Sequence, residues 1–196
     1  MLGNNPYTAA GWYNPQNPLS GPWRPASSEP PTFGALPTQG GTNSILTFEF
    51  CSFNPDVLNC TVIGPMKRSF FTIRTSSSNT VISKSEGAFA IIHWAQRPTV
   101  EASGVIPFQR AAEFVRLSSD RSLMKVDGKT YAWVPGSSGI CLYTTGPNPP
   151  EQFAKLRMVS DNSKVLLEIT SEAFQAGLFE PSIVSTVLLF SSRNID

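Results

Sequence analysis

From Ile45 to Thr170 the chain repeats one pattern: four to seven residues rich in β-branched and aromatic side chains, then a turn signal. Ile45 to Phe50 opens with the apolar/polar alternation of a half-buried strand. Cys60 to Ile63 stops at Gly64-Pro65, Ser69 to Thr75 stops at Ser76-Ser77-Ser78-Asn79, and Thr80 to Lys84 precedes Glu86-Gly87. Ala88 to Trp94 and Thr99 to Ala102 flank Arg97-Pro98. Ser122 to Val126 and Thr130 to Val134 flank Asp127-Gly128-Lys129, where Gly supplies the positive φ of a tight hairpin. Ile140 to Thr144, Ala154 to Val159 and Lys164 to Thr170 complete the set of about ten short strands. At this spacing they predict a meandering antiparallel sheet, closed or folded on itself to hide its edges. One helix of two or three turns is predicted over Phe108 to Leu117, where Phe108, Ala111, Ala112 and Val115 share a face.

Glu180 to Phe190 is ambiguous on its residues alone. Its β-branched content favours a strand. Pro181 suits a first helical turn, and Ile183, Val184, Val187 and Leu188 are spaced as on a helix, with Ser182, Ser185 and Thr186 between them. A helix so apolar all round must be buried on nearly every side.

Composition divides the chain in two. Residues 1–43 carry eight of the 17 prolines, six glycines and only two charges, Arg24 and Glu29. They lack the periodicity and apolar content to offset an ordering entropy of roughly 1–2 kcal/mol per residue, so they read as a disordered arm. Its aromatics Trp12, Tyr13 and Trp23 are candidate docking stickers for a protein partner. Residues 44–196 form the folded domain, long enough to bury a core without a metal or a disulfide.

Charge and cysteine usage narrow the function. Fifteen bases against 14 acids leave no basic footprint for nucleic acid. No run approaches the roughly 20 apolar residues that span a bilayer. The first residues have neither the charge nor the apolar run of a targeting signal, so the expected location is cytoplasmic. Cys51, Cys60 and Cys141 form no C-x-x-C pair and read as buried thiols rather than a zinc or disulfide set. Asn59-Cys60-Thr61 matches a glycosylation acceptor pattern, which the expected cytoplasmic location would leave unmodified.

Few residue patterns in the chain carry chemistry. His93 is the only histidine and adjoins Trp94 in a strand; no G-x-S-x-G elbow accompanies it, so it reads as structural. Gly136-Ser137-Ser138-Gly139 lacks the G-K-[ST] ending of a phosphate loop and reads as a hairpin turn. Glu86, Glu101, Glu113 and Glu168 are the carboxylates that could meet in a groove for hydrolysis. Lys67, Arg68, Arg121, Lys125 and Lys129 are the candidate contacts for an anion or lipid headgroup.

Asp127-Gly128-Lys129-Thr130-Tyr131-Ala132-Trp133, with Gly87, Phe89, Ile91 and Trp94 upstream and an apolar C-terminal segment, resembles an uncharacterised domain family of mushroom-forming fungi. That family is similar to the superfold of the tubby C-terminal domain, the LURP-one-related proteins and the phospholipid scramblases. Asp127, Gly128, Tyr131, Trp133 and Trp94 are the structural signature of the resemblance. It implies a closed antiparallel β-barrel of about 10–12 strands around a central hydrophobic helix at Pro181 to Arg193, and it brings no catalytic residues. The tubby relatives bind phosphoinositide headgroups through basic surface residues. The combined reading is a non-enzymatic cytoplasmic binding or scaffold module without a cofactor, peripheral to an anionic membrane or held by a protein partner through the arm. Its rival is a carbohydrate-active or other hydrolytic enzyme built on groove carboxylates.

Overall fold

The structure is a computed structural model and describes residues 44–118, 120–146, 149–159 and 163–196. The arm read over residues 1–43, with Trp12, Tyr13 and Trp23, lies outside the described residues.

Thirteen strands form one antiparallel sheet. They are β1 (Ile45–Cys51), β2 (Cys60–Ile63), β3 (Ser69–Ser76), β4 (Asn79–Lys84), β5 (Gly87–His93), β6 (Thr99–Ala102) and β7 (Ile106–Arg110). A single helical turn, α1 (Ala111–Phe114), leads to β8 (Val115–Arg116), β9 (Ser122–Val126), β10 (Lys129–Gly136), β11 (Gly139–Thr144), β12 (Gln152–Met158) and β13 (Val165–Thr170). The spatial order runs β7 through β1 and then β13 down to β8, so two seven- and six-strand meanders are joined where β1 pairs with β13. Asp127 and Gly128 both have positive φ, 48° and 73°, as the two-residue hairpin between β9 and β10 requires.

The chain closes with α2 (Ser171–Gln175) and α3 (Phe179–Phe190). Thr170 Oγ1 caps α2 by accepting from the Ala173 amide at 3.2 Å. At its other end Gly177, at φ 73°, donates to Phe174 O while Leu178 donates to Ala173 O, the paired bonds that stop a helix on a left-handed residue. That stop turns the chain into α3. Ser182 to Val187 of α3 are all fully buried, which over more than a full turn leaves no face for water. Ile183, Val184, Val187 and Leu188 join one core cluster with Phe48, Phe50, Phe71, Ile73, Ile92, Trp133, Leu156 and Leu167 from strands of both meanders.

Three expectations are corrected. The sheet is not closed into a barrel: its edges are β7 and β8, with no ladder between them among the described residues, and α1 alone links the two. Pro107 has no amide to donate and β8 is two residues long, so neither edge can sustain a ladder. Residues Phe108 to Leu117 are not a helix beyond Ala111–Phe114, because Ile106–Arg110 pairs with β6 and Phe108 is 65% exposed. The C-terminal helix begins at Phe179 rather than Pro181 and ends at Phe190; Pro181 sits in the first turn, where its missing amide has no partner to lose.

Candidate functional site

Antiparallel pairing sorts the turns between two ends of the sheet. We call the end where β1 starts proximal, and the other distal. The proximal end collects Ile45, the β2–β3 turn at residues 64–68, the β4–β5 turn, the Asp127-Gly128 hairpin and α2. α3 crosses from proximal to distal. Glu180 meets Lys84 at 3.2 Å near its start, and beyond its end the Arg193 guanidinium lies 4.9 Å from the ring centre of Trp94, which follows β5.

Four of the five candidate cations fall at or beside the proximal end. Lys67 and Arg68 belong to the β2–β3 turn, Lys129 opens β10, and Lys125 pairs with Thr130 just behind the hairpin. None of the four is in an ion pair among the described residues, and the Arg68 guanidinium stands 5.9 Å from the Phe70 ring centre. Arg121 is the exception. It precedes β9 at the distal end, pairs with Asp120 at 3.3 Å and lines a groove of about 620 Å³ with Val134 and Tyr143.

The four cations form two patches. Between β10 and β2 lie five inter-strand steps, about 24 Å along the sheet at roughly 4.8 Å per step. A shallow groove of about 480 Å³ borders the hairpin patch and is lined by Lys129, Thr130, Tyr131, Thr144, Thr145 and Phe153. Thr145 Oγ1 donates to Thr130 O there, and burial together with the Asp127 charge pushes the Tyr131 hydroxyl above its ordinary pKa. Glu86, Asp127, Glu151 and Glu172 share this end, so basic character is local and strongest at the β2–β3 turn.

That turn also holds what the sequence reading missed. Met66 is 96% exposed, Ile45 at the start of β1 is 62% exposed, and Phe174 on α2 is 39% exposed. Three of the six exposed large apolar side chains among the described residues therefore sit at the proximal end. Met66 and Lys67 both have positive φ, 58° and 56°, which disfavours an L-residue by about 1–2 kcal/mol each. Gly64 keeps the turn pressed on the core: a Cβ there would lie 2.5 Å from the Phe70 ring and 2.8 Å from that of Phe48. The available signal was an apolar residue caught between Gly64-Pro65 and Lys67-Arg68.

The remaining candidates are structural or scattered. Trp133 is fully buried; Trp94 is half-buried and donates from Nε1 to Thr80 Oγ1 at 2.7 Å. His93 Nδ1 is 2.9 Å from Asn79 Oδ1. Asn59 Oδ1 accepts from the Thr75 amide at 2.9 Å. Cys51 and Cys60 are buried, with Cys60 Sγ donating to Val57 O at 3.2 Å, and Cys141 is half-buried. Residues 136–139 close β10 onto β11 as a hairpin. Of the four carboxylates, Glu101 lines a groove on β5–β7 and Glu86 an adjoining one at the β4–β5 turn, the two sharing Ala88, Phe89 and Ser103, whereas Glu168 lines one elsewhere with its ion-pair partner Arg157 and Glu113 lies on α1. No helix among the described residues is long and apolar enough to cross a membrane.

Neither a family model nor a curated protein matches the chain. A solved structure of a protein from Arabidopsis thaliana is similar at 10% identity and a TM-score of 0.40, covering 74% of this chain and 92% of that one. A likeness this slight decides neither ligand nor activity.

Proposed function

We propose that the chain is a non-enzymatic, cytoplasmic binding module of the tubby-like kind that docks its proximal end on an anionic membrane surface. One observation carries the reading: four unpaired cations chosen on sequence stand at the same end of the sheet, in two patches about 24 Å apart along it. Two patches five strands apart along the sheet suit a surface of many headgroups better than one soluble headgroup. The enclosed α3 supports the tubby-like part of the reading, since it fills the interior and leaves recognition to the surface; the open ladder is a departure from that pattern. Glu113 and Glu168 lie away from the adjoining grooves of Glu86 and Glu101, which leaves the hydrolytic rival that single pair.

Four bases at about 1 kcal/mol each near an anionic leaflet give at most about 4 kcal/mol, or binding no tighter than millimolar order, because Glu86, Asp127, Glu151 and Glu172 at the same end oppose them. Charge alone therefore makes a weak, salt-sensitive contact. The test is flotation with vesicles of phosphatidylcholine alone and of phosphatidylcholine with phosphatidylserine and phosphoinositide. Binding only to the anionic vesicles is expected, weakened by salt and abolished in a Lys67→Glu/Arg68→Glu/Lys129→Glu variant that retains its fold. Equal flotation of that variant, or none of the natural chain, removes the reading.

A further inference from the structure

We infer that the β2–β3 turn is an insertion finger that carries the Met66 side chain below the headgroups of the bilayer. The inference rests on the membrane-docking reading and adds the depth and the residue of contact. Met66 is the most exposed large apolar side chain among the described residues, at 96%. It stands at the tip of a turn, so the apolar group projects from the surface instead of lining a hollow.

The turn is built to hold it there. The Gly64 amide donates to Arg68 O at 2.8 Å and the Arg68 amide to Pro65 O at 3.4 Å, closing a five-residue loop. Gly64 lies against Phe48 and Phe70, and those rings pack on Phe179 at the start of α3, so the loop rests on the core. Two successive non-glycine residues, Met66 and Lys67, are held in the left-handed region, and conformations of this kind gather at functional sites.

Chemistry selects the occupant. Lys67 and Arg68 follow Met66 directly in the turn and are exposed with it, so an apolar group and two cations are offered together, as an anionic leaflet offers phosphate and hydrocarbon. Ile45 and Phe174, exposed at the same end, supply further apolar contact at the interface. Burying one Met side chain corresponds to roughly tenfold or more in affinity, which is what a contact of millimolar order from charge alone lacks.

The test uses the full chain with Met66→Trp as a reporter and Met66→Ser as the loss variant, on the anionic vesicles named above. For the reporter we expect, over the natural chain with its own four tryptophans as the baseline, an added blue shift on binding and added quenching by phospholipids brominated on the acyl chain. For Met66→Ser we expect flotation weakened about tenfold or more with an unchanged melting temperature, because the side chain makes no packing contact to lose. If Met66→Ser floats like the natural chain and acyl bromine does not quench the reporter, the finger is overturned while charge-dependent docking stands. If the natural chain floats with no anionic vesicle, both fall. Capture of Met66 by an acidic-rimmed protein groove, with no quenching by lipid, would likewise overturn it.

Discussion

At the residue scale the thiol of Cys60 shows how burial becomes a pH dependence. Burial, then the nearby Cys51 and Asp56, push its pKa from 9.0 up to about 12. Above pH 9 the unfolded chain gives up a proton that the folded chain keeps, so the group's contribution, complete below pH 9, is lost as pH rises toward 12. Relative to a Cys60→Ala variant, the natural chain should lose stability by about 1.4 kcal/mol per pH unit in that window, measured by urea unfolding on either side of pH 9. A pH-independent difference between the two would contradict the burial argument. Gly64 is a second such site. Replacing it with Ala forces a Cβ against Phe70 and Phe48 and should cost about 1–3 kcal/mol in denaturant unfolding. A cost near zero would mean that the rings move aside freely. Asp127-Gly128 was readable in the sequence because a tight hairpin has a fixed chemistry. Met66 offered only its place between Gly64-Pro65 and Lys67-Arg68, because exposure of a lone apolar residue depends on what the rest of the chain places around it.

At the scale of elements, α3 was the hardest to read and is the most informative. Its β-branched residues favour a strand locally, yet β1 and β13 pair with one another and leave it no edge, while the interior offers burial all round. Its hydroxyls divide into satisfied and unsatisfied. Ser185 Oγ and Thr186 Oγ1 donate to Ser182 O at 3.1 and 2.6 Å, whereas Ser182 Oγ has no partner among the described residues. Ser182→Ala should therefore raise stability by about 1 kcal/mol, and Ser185→Leu should lower it by about 1–3 kcal/mol through overpacking. Calorimetric melting checks both; a destabilised Ser182→Ala would reveal a partner for that hydroxyl. The segment around Phe108 was misread for the opposite reason. Its spacing imitates a helix over ten residues, but pairing with β6 and the need to join two edges impose a strand, one turn and a second strand. α2 carried its own punctuation in Thr170 and Gly177, legible once both ends are read together.

At the scale of the molecule, the meander follows from short strands and short turns, but the seam does not. Whether a sheet closes depends on its last ladder, and here the outer strands offer a proline on one side and two residues on the other. Hydrogen exchange should find amides of β7, α1 and β8 least protected and those of β1 and β13 most protected. Equal protection across the sheet would mean that the seam is bonded after all. The central pairing joins Ile45 to Thr170 and Phe50 to Val165, so the middle of the wall is also its most non-local contact and its formation should be slow.

The enclosed helix has a consequence for biosynthesis. Every strand leaves the ribosome before the segment that fills the space they surround, because α3 follows β13 in the chain. At roughly 5–20 residues per second, a nascent polypeptide spends about 1–4 seconds with all its strands made and their apolar faces unfilled. That interval, rather than the finished product, is when this protein most needs a chaperone.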